Sequence, residues 1–136
     1  MNPSPFISPT ARLALAAVVA IATKSGPQPM PASTLTGVLK VNRRALEIDL
    51  QALRRAGVLR GTRGPTGGYQ LARPAREIGL GEIVRVSDAL RPGAGDVLPA
   101  LVADVVDPML DFPSRRFAES LDAITVADMV ARAAAR

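Results

Sequence analysis

The 136-residue chain has no cysteine and no histidine. The first absence removes thiolate ligands, disulfides and a cysteine nucleophile. The second removes imidazole ligands and the commonest general base. With neither present, and no carboxylate pair in a recognisable setting, little is left from which to build an enzyme site, so none is expected. Freedom from disulfides suits the cytoplasm. Long hydrophobic runs are also missing: the longest apolar stretch, Leu13 to Ala22, is too short to span a bilayer. Eleven glycines and twelve prolines fall short of a low-complexity composition, so a globular core is expected.

What is present is unevenly spread. Residues 1–81 hold 11 Lys/Arg against 3 Asp/Glu, whereas residues 82–136 hold 6 against 9. A basic front suggests contact with a polyanion, and an acidic back suggests another task. Nearly all the cations are arginine, which compositional bias alone can produce, so the segregation carries more weight than the total.

The chain opens with a proline-broken lead-in. Ser8 is placed to cap a helix with Pro9 in its first turn, where a missing N–H costs nothing. That helix runs to Lys24, with Gly26 positioned to stop it. It is apolar nearly all round, as expected of a core helix. As the hydrophobic region of a signal peptide it would be cleaved away, and the following helices would lose their cover. A short helix is expected over Ala32 to Leu39, with Lys40 and Val41 as a turn and Asn42 as the cap of the next helix, Arg43 to Ala56, ended by Gly57. Leu46, Leu50 and Leu53 make its buried stripe. Arg44, Ile48, Gln51 and Arg55 point the other way, with Glu47 on the flank. Two helices joined by a tight turn, the second with a polar outer face, form a helix-turn-helix. Arg43 and Arg44 sit in the first turn, where the helix dipole disfavours cations; an anionic partner would explain them, and so would solvent screening.

The segment Val58 to Arg73, VLRGTRGPTGGYQLAR, reads as two short strands closed by a glycine-rich loop. Tyr69 and Leu71 alternate with Gln70 and Ala72, so one face can be buried. Such a hairpin is marginal alone and must lean on the preceding helix. Its arginines, Arg60 and Arg63 among them, either keep an edge soluble or make the hairpin the wing of a winged helix-turn-helix. Beyond Pro74 to Glu77, a helix is expected around Leu80 to Leu90, then a flexible break at Arg91 to Asp96. Apolar residues at helical spacing follow in Val97 to Val106, then a helix over Arg115 to Ala123. A capping box of Thr125 and Asp128 opens the last helix. The two expected units are residues 1–90, a winged helix-turn-helix domain, and residues 91–136, a helical dimerisation region. The apolar stripe of the second unit either pairs with a second copy or packs back on its own domain.

Here the residues resemble a known family, the bacterial winged helix-turn-helix repressors typified by the iron–sulfur regulator IscR and the nitric-oxide-sensitive NsrR. The resemblance runs from about residue 9 to 90 and again from 115 to 130. ALRRAGVLRGTRGPTGGYQLAR looks like that family's recognition-helix end and wing, and LDAITVADMV is similar to the segment closing its dimerisation region. The resemblance implies a mainly α fold with a small β-hairpin and a homodimer on a near-palindromic operator, its recognition helices about 34–36 Å apart. It puts a base-contacting glutamate at Glu47 and the wing's minor-groove arginine at Arg63. The departures count too. The family's sensing members bind a cluster through three cysteines, and the matching stretch, Arg91 to Leu110, has none, so no cofactor is expected. Ala45 stands where an aromatic is frequent, and Ile48 where a polar residue is, so base preference does not transfer. Pro108 and Pro113 are expected to break the long dimer helix.

The expected function is therefore sequence-specific binding of double-stranded DNA by a dimeric, cluster-free transcriptional regulator. Arg43, Arg44, Glu47, Ile48 and Gln51 would face the major groove, Arg60 and Arg63 would serve the wing, and Lys40 with Arg54 or Arg55 would meet phosphates. The rival is a winged-helix module that recruits a protein, against which the charge split argues. Control would come from a small molecule between dimer helices, from a protein on the acidic end, or from nothing beyond the chain's own concentration; the sequence selects none of the three.

Overall fold

A computed structural model of the chain describes residues 6–24, 28–91 and 97–136. The core is organised around α1, Pro9–Lys24, whose Ser8 cap accepts a hydrogen bond from the Ala11 amide at 3.1 Å. Ala11, Ala14, Ala17, Val18 and Ile21 have no exposed surface, which is why this helix is apolar on nearly every side. Around it stand α2 (Ala32–Leu39), α3 (Arg43–Arg55), α4 (Leu80–Ala89) and α6 (Val126–Ala134), with the wing strands β1 (Leu59–Thr62) and β2 (Gly68–Leu71) at one side. The stop expected at Gly26, and the break expected over Arg91 to Asp96 apart from Arg91 itself, lie outside the described residues.

The turn between α2 and α3 forms as its residues dictate. Lys40 adopts the left-handed conformation, φ 57°, and its amide closes on the Thr36 carbonyl. The Asn42 side chain caps α3 by accepting from the Arg44 amide at 2.8 Å. Leu46, Leu50 and Leu53 are buried as expected. At the far end α3 closes at Ala56, and Gly57, φ 81°, turns the chain into the wing.

The wing is an antiparallel pair with Leu59 opposite Leu71, Arg60 opposite Gln70, Gly61 opposite Tyr69 and Thr62 opposite Gly68. Met30, just before α2, extends it by one rung: the Met30 and Tyr69 amides each donate to the other's carbonyl, at 2.9 and 2.8 Å. Gly68 is required there, because a Cβ would run into the Met30 carbonyl. Arg73 staples the wing's exit, donating to the Gly57 and Glu77 carbonyls and, at 2.6 Å, to the Glu82 carboxylate of α4.

The C-terminal half departs from expectation in its helix. Instead of pieces separated by Pro108 and Pro113, residues 100–122 form one continuous helix. It contains a π-helical turn over Val102–Val106, where the Asp107 amide reaches back to the Val102 carbonyl, and continues as α5, Asp107–Asp122. A proline ring clashes with the carbonyl four residues before it, and a wide turn directly ahead of Pro108 gives that ring room. Pro113 only forgoes one bond in a helix that has no buried residue. The chain then returns. Thr125 and Asp128 form the expected capping box, Leu80 and Val126 donate to the Ile124 and Ile78 carbonyls at 2.8 and 2.9 Å, and Val126 is fully buried in the common core. The last helix of the segment 91–136 therefore packs on α1.

Among the described residues two polar side chains, Asp49 and Ser87, are buried. Asp49, on the inner face of α3, is 2 % exposed and accepts from Nη1 and Nη2 of Arg91, each at 3.1 Å, and from the Ser87 hydroxyl at 3.3 Å. A buried carboxylate is tolerable only with such partners. Arg91→Ala is expected to lower unfolding stability by about 1–3 kcal/mol by leaving that carboxylate short of donors. Urea unfolding followed by far-UV circular dichroism checks this, and an unchanged midpoint would show that Asp49 does not need Arg91.

Candidate nucleic-acid interface

Between the start of α2, the outer face of α3 and the wing lies a cleft of about 440 Å³. Arg43, Glu47, Gln51 and Arg54 enter from α3, Thr62 and Arg63 from the wing, and Ser33 from the first turn of α2. A second, shallower hollow on the other flank of α3 is lined by Arg44, Glu47, Ile48, Gln51 and Arg55. Glu47 and Gln51 border both, so they form the ridge between them. The helical period explains the arrangement: Arg43, Glu47, Gln51 and Arg54 recur at i, i+4, i+8 and i+11 along one stripe, and Arg44, Ile48 and Arg55 lie alongside it.

Seven of the nine residues expected at the site thus stand on this surface: Arg43, Arg44, Glu47, Ile48, Gln51, Arg55 and Arg63. Lys40 and Arg60 line neither hollow. Lys40 is in the α2–α3 turn, and Arg60 follows the alternation of β1 onto the face opposite Gly61, where it contacts Gln70 across the strands. Arg54, named in the sequence as one of two options, is a cleft residue. Tyr69, Thr62 and Ser33 escaped notice. Tyr69 reads from the pattern as core, yet its hydroxyl meets the Gln51 side chain in the cleft. Ser33 has no local signal at all.

Charge in the cleft is mixed. Arg43 and Glu47 approach to 3.8 Å, both substantially exposed, a loose pair that solvent screens strongly. Arg54 donates from Nε and Nη2 to the Gln51 side-chain oxygen at 3.3 and 3.0 Å, and Gln51 donates weakly to the Tyr69 hydroxyl at 3.4 Å. Burial pushes the Tyr69 phenol above its ordinary pKa of about 10 and Glu47 adds to the rise, while Arg54 and Arg43 oppose it. The surface offers cations in number and one carboxylate, with no nucleophile and base in contact.

Tyr69 is the one tyrosine in the chain and there is no tryptophan, so ultraviolet absorbance reports this phenol alone. Its ionisation in the native protein is expected above pH 10, and Glu47→Gln should bring it part of the way down. Because the folded pKa is raised, this group's contribution to stability is complete below pH 10 and declines as pH rises through the folded value. A native midpoint at or below that of the unfolded chain would contradict the burial.

Comparisons with known proteins agree with this architecture. Residues 7–132 match the model of the Rrf2 family, described as an iron-dependent transcriptional regulator. The chain is 37% identical over 95 residues to the HTH-type transcriptional regulator IscR of Cereibacter sphaeroides, covering 65% of this chain and 61% of that protein. It is 31% identical over 77 residues to IscR of Vibrio campbellii, covering 57% of this chain and 46% of that protein. The chain thus spans about half to three-fifths of the length of these relatives. Among solved structures, T. potens IscR superposes with a TM-score of 0.73 at 28% identity, over 93% of this chain and 87% of that one. CymR, the global cysteine regulator of B. subtilis, superposes with a TM-score of 0.69 at 27% identity, over 93% of this chain and 96% of that one. These relatives are regulators and not enzymes, as the residue inventory of the chain leads one to expect. With a family match across nearly its whole length and a winged helix-turn-helix fold to go with it, the chain belongs to the Rrf2 family of transcriptional regulators.

Proposed function

We propose that this chain is a cytoplasmic, homodimeric repressor that binds a specific double-stranded DNA operator without an iron–sulfur cluster. The observation that carries the reading is the convergence of α3 and the wing on one cation-lined cleft, with Arg43 and Arg54 on one wall and Arg63 on the other. A helix can enter the wide groove of B-DNA, while a guanidinium on a hairpin suits the narrow one. In this reading Arg43, Arg44, Glu47 and Ile48 face base edges and Arg63 enters the minor groove. Lys40, Arg55 and Arg60, further from the cleft, meet phosphates.

The homodimer is supported by residues 100–122, a helix that leaves Leu101, Val105, Met109, Leu110 and Phe112 exposed. An apolar stripe of that size is better covered than wet. Freedom from a cluster is supported by the donors present. The family's description is iron-dependent, yet the chain has no thiolate and no imidazole, and no group of three carboxylates among the described residues could hold a metal ion. The residues do not fit that group. No helix among the described residues is long and apolar enough to cross a membrane, which is consistent with a protein free to search DNA.

Selection from a random duplex library followed by fluorescence anisotropy tests the proposal. A symmetrical motif is expected, with log K falling against log salt at about −0.9 per phosphate contacted. Arg63→Ala should cost about 1–3 kcal/mol of operator binding. An asymmetric or absent motif would remove the dimeric operator, and unchanged affinity of Arg63→Ala would remove the wing's role.

A further inference from the structure

The two grooves of a duplex are separated by a sugar–phosphate strand. If α3 occupies one groove and the wing the next, that strand must pass through the cleft between them. Arg54 lies in the wall of this cleft in a prepared position. Its stem passes the hairpin at Gly61, where a Cβ would stand 3.0 Å from the Arg54 Cδ, so the missing side chain lets the two lie close without displacing the stem. At its head, Gln51 Oε1 receives Nε and Nη2 at 3.3 and 3.0 Å. A guanidinium carries five N–H donors and no acceptor. The atom of Gln51 that meets it must therefore be the carbonyl oxygen, and the amide nitrogen is turned toward the Tyr69 hydroxyl, 3.4 Å away. Two of the five donors are used, and three remain for an anionic oxygen.

The same geometry bears on Gln51. A glutamine that reads adenine presents its oxygen and nitrogen together to the base edge. Here both ends are engaged within the protein, so base reading would require Gln51 to release Arg54 first. Resting on the DNA-binding reading above, we propose that Arg54 is a phosphate clamp for the strand between the two grooves. Gln51, contrary to its outward place in the helical period, is a positioning residue that holds the clamp rather than a base reader. Base discrimination on α3 then falls to Arg43, Arg44, Glu47 and Ile48.

The experiment uses the full chain, the duplex recovered by selection and a scrambled duplex of equal length, each titrated by anisotropy over a salt series. Arg54→Ala should weaken both complexes by a similar factor, roughly tenfold or more at low salt. It should also make the log–log salt slope shallower by about 0.9. Arg54→Lys should keep the slope, since the charge is retained. Gln51→Ala should weaken both duplexes alike, add less than about twofold once Arg54 is alanine, and select the same motif from the library. A changed base preference for Gln51→Ala, or a wild-type slope for Arg54→Ala, overturns the assignment while leaving DNA binding intact. Absence of salt-dependent binding by the unsubstituted chain removes the DNA-binding reading, and this assignment with it.

Discussion

The position of the wing depends on two backbone hydrogen bonds, from the Met30 amide to the Tyr69 carbonyl and from the Tyr69 amide to the Met30 carbonyl. A two-stranded hairpin has too little apolar area to hold its own orientation. By pairing with the residue that leads into α2, β2 becomes the middle of a three-stranded patch and is fixed to the helix-turn-helix from the N-terminal side. Gly68 is the condition for that contact, since any side chain there would collide with the Met30 carbonyl. The cleft follows from it. Tyr69 is carried against α3, Gly61 lies over the Arg54 stem, and Arg63 stands across from Arg43.

The opposite face of α3 is fastened by a different force. Leu46, Leu50 and Leu53 bury it by the hydrophobic effect, which is strong but indifferent to small rotations. Asp49 adds direction: its carboxylate accepts a two-pronged arginine and a hydroxyl from the end of α4, and a bidentate pair admits little angular freedom. The recognition helix is thus gripped on both sides, by Arg91 and Ser87 behind and by the wing in front. Arg91 immediately precedes the connection to the helix of residues 100–122, so the segment proposed to carry the dimer begins where the recognition helix is anchored.

Much of the fold could be read along the chain because the signals were local. Ser8, Asn42 and the Thr125–Asp128 box all cap the helices they precede, since a side-chain oxygen two or three residues from an unpaired amide meets it whatever the rest of the protein does. Gly57 ends α3 in the left-handed conformation for an equally local reason. The prolines misled. A ring at 108 disturbs one turn of helix, and a π-helical turn absorbs it without a break. Composition cannot distinguish those outcomes, because a break and a widened turn both accommodate a residue without an N–H.

At the site the division is similar. The helical period alone set Arg43, Arg44, Glu47, Ile48, Gln51 and Arg55 outside the core, and the glycine-rich tip alone marked Arg63 as part of a loop. Which of these share a cleft was decided by tertiary structure. The angle between wing and helix is set by contacts between Met30 and Tyr69, thirty-nine positions apart, and no periodicity encodes it. That angle brought the Tyr69 hydroxyl to Gln51 and laid Gly61 against the Arg54 stem, whereas Arg60 follows the alternation of its strand and the Gln51–Arg54 pair the helical period. Sequence determines which side of its own element a residue occupies, through bond geometry repeated every few residues. Only the packed chain decides what stands opposite, because that depends on where separate elements come to rest against one another.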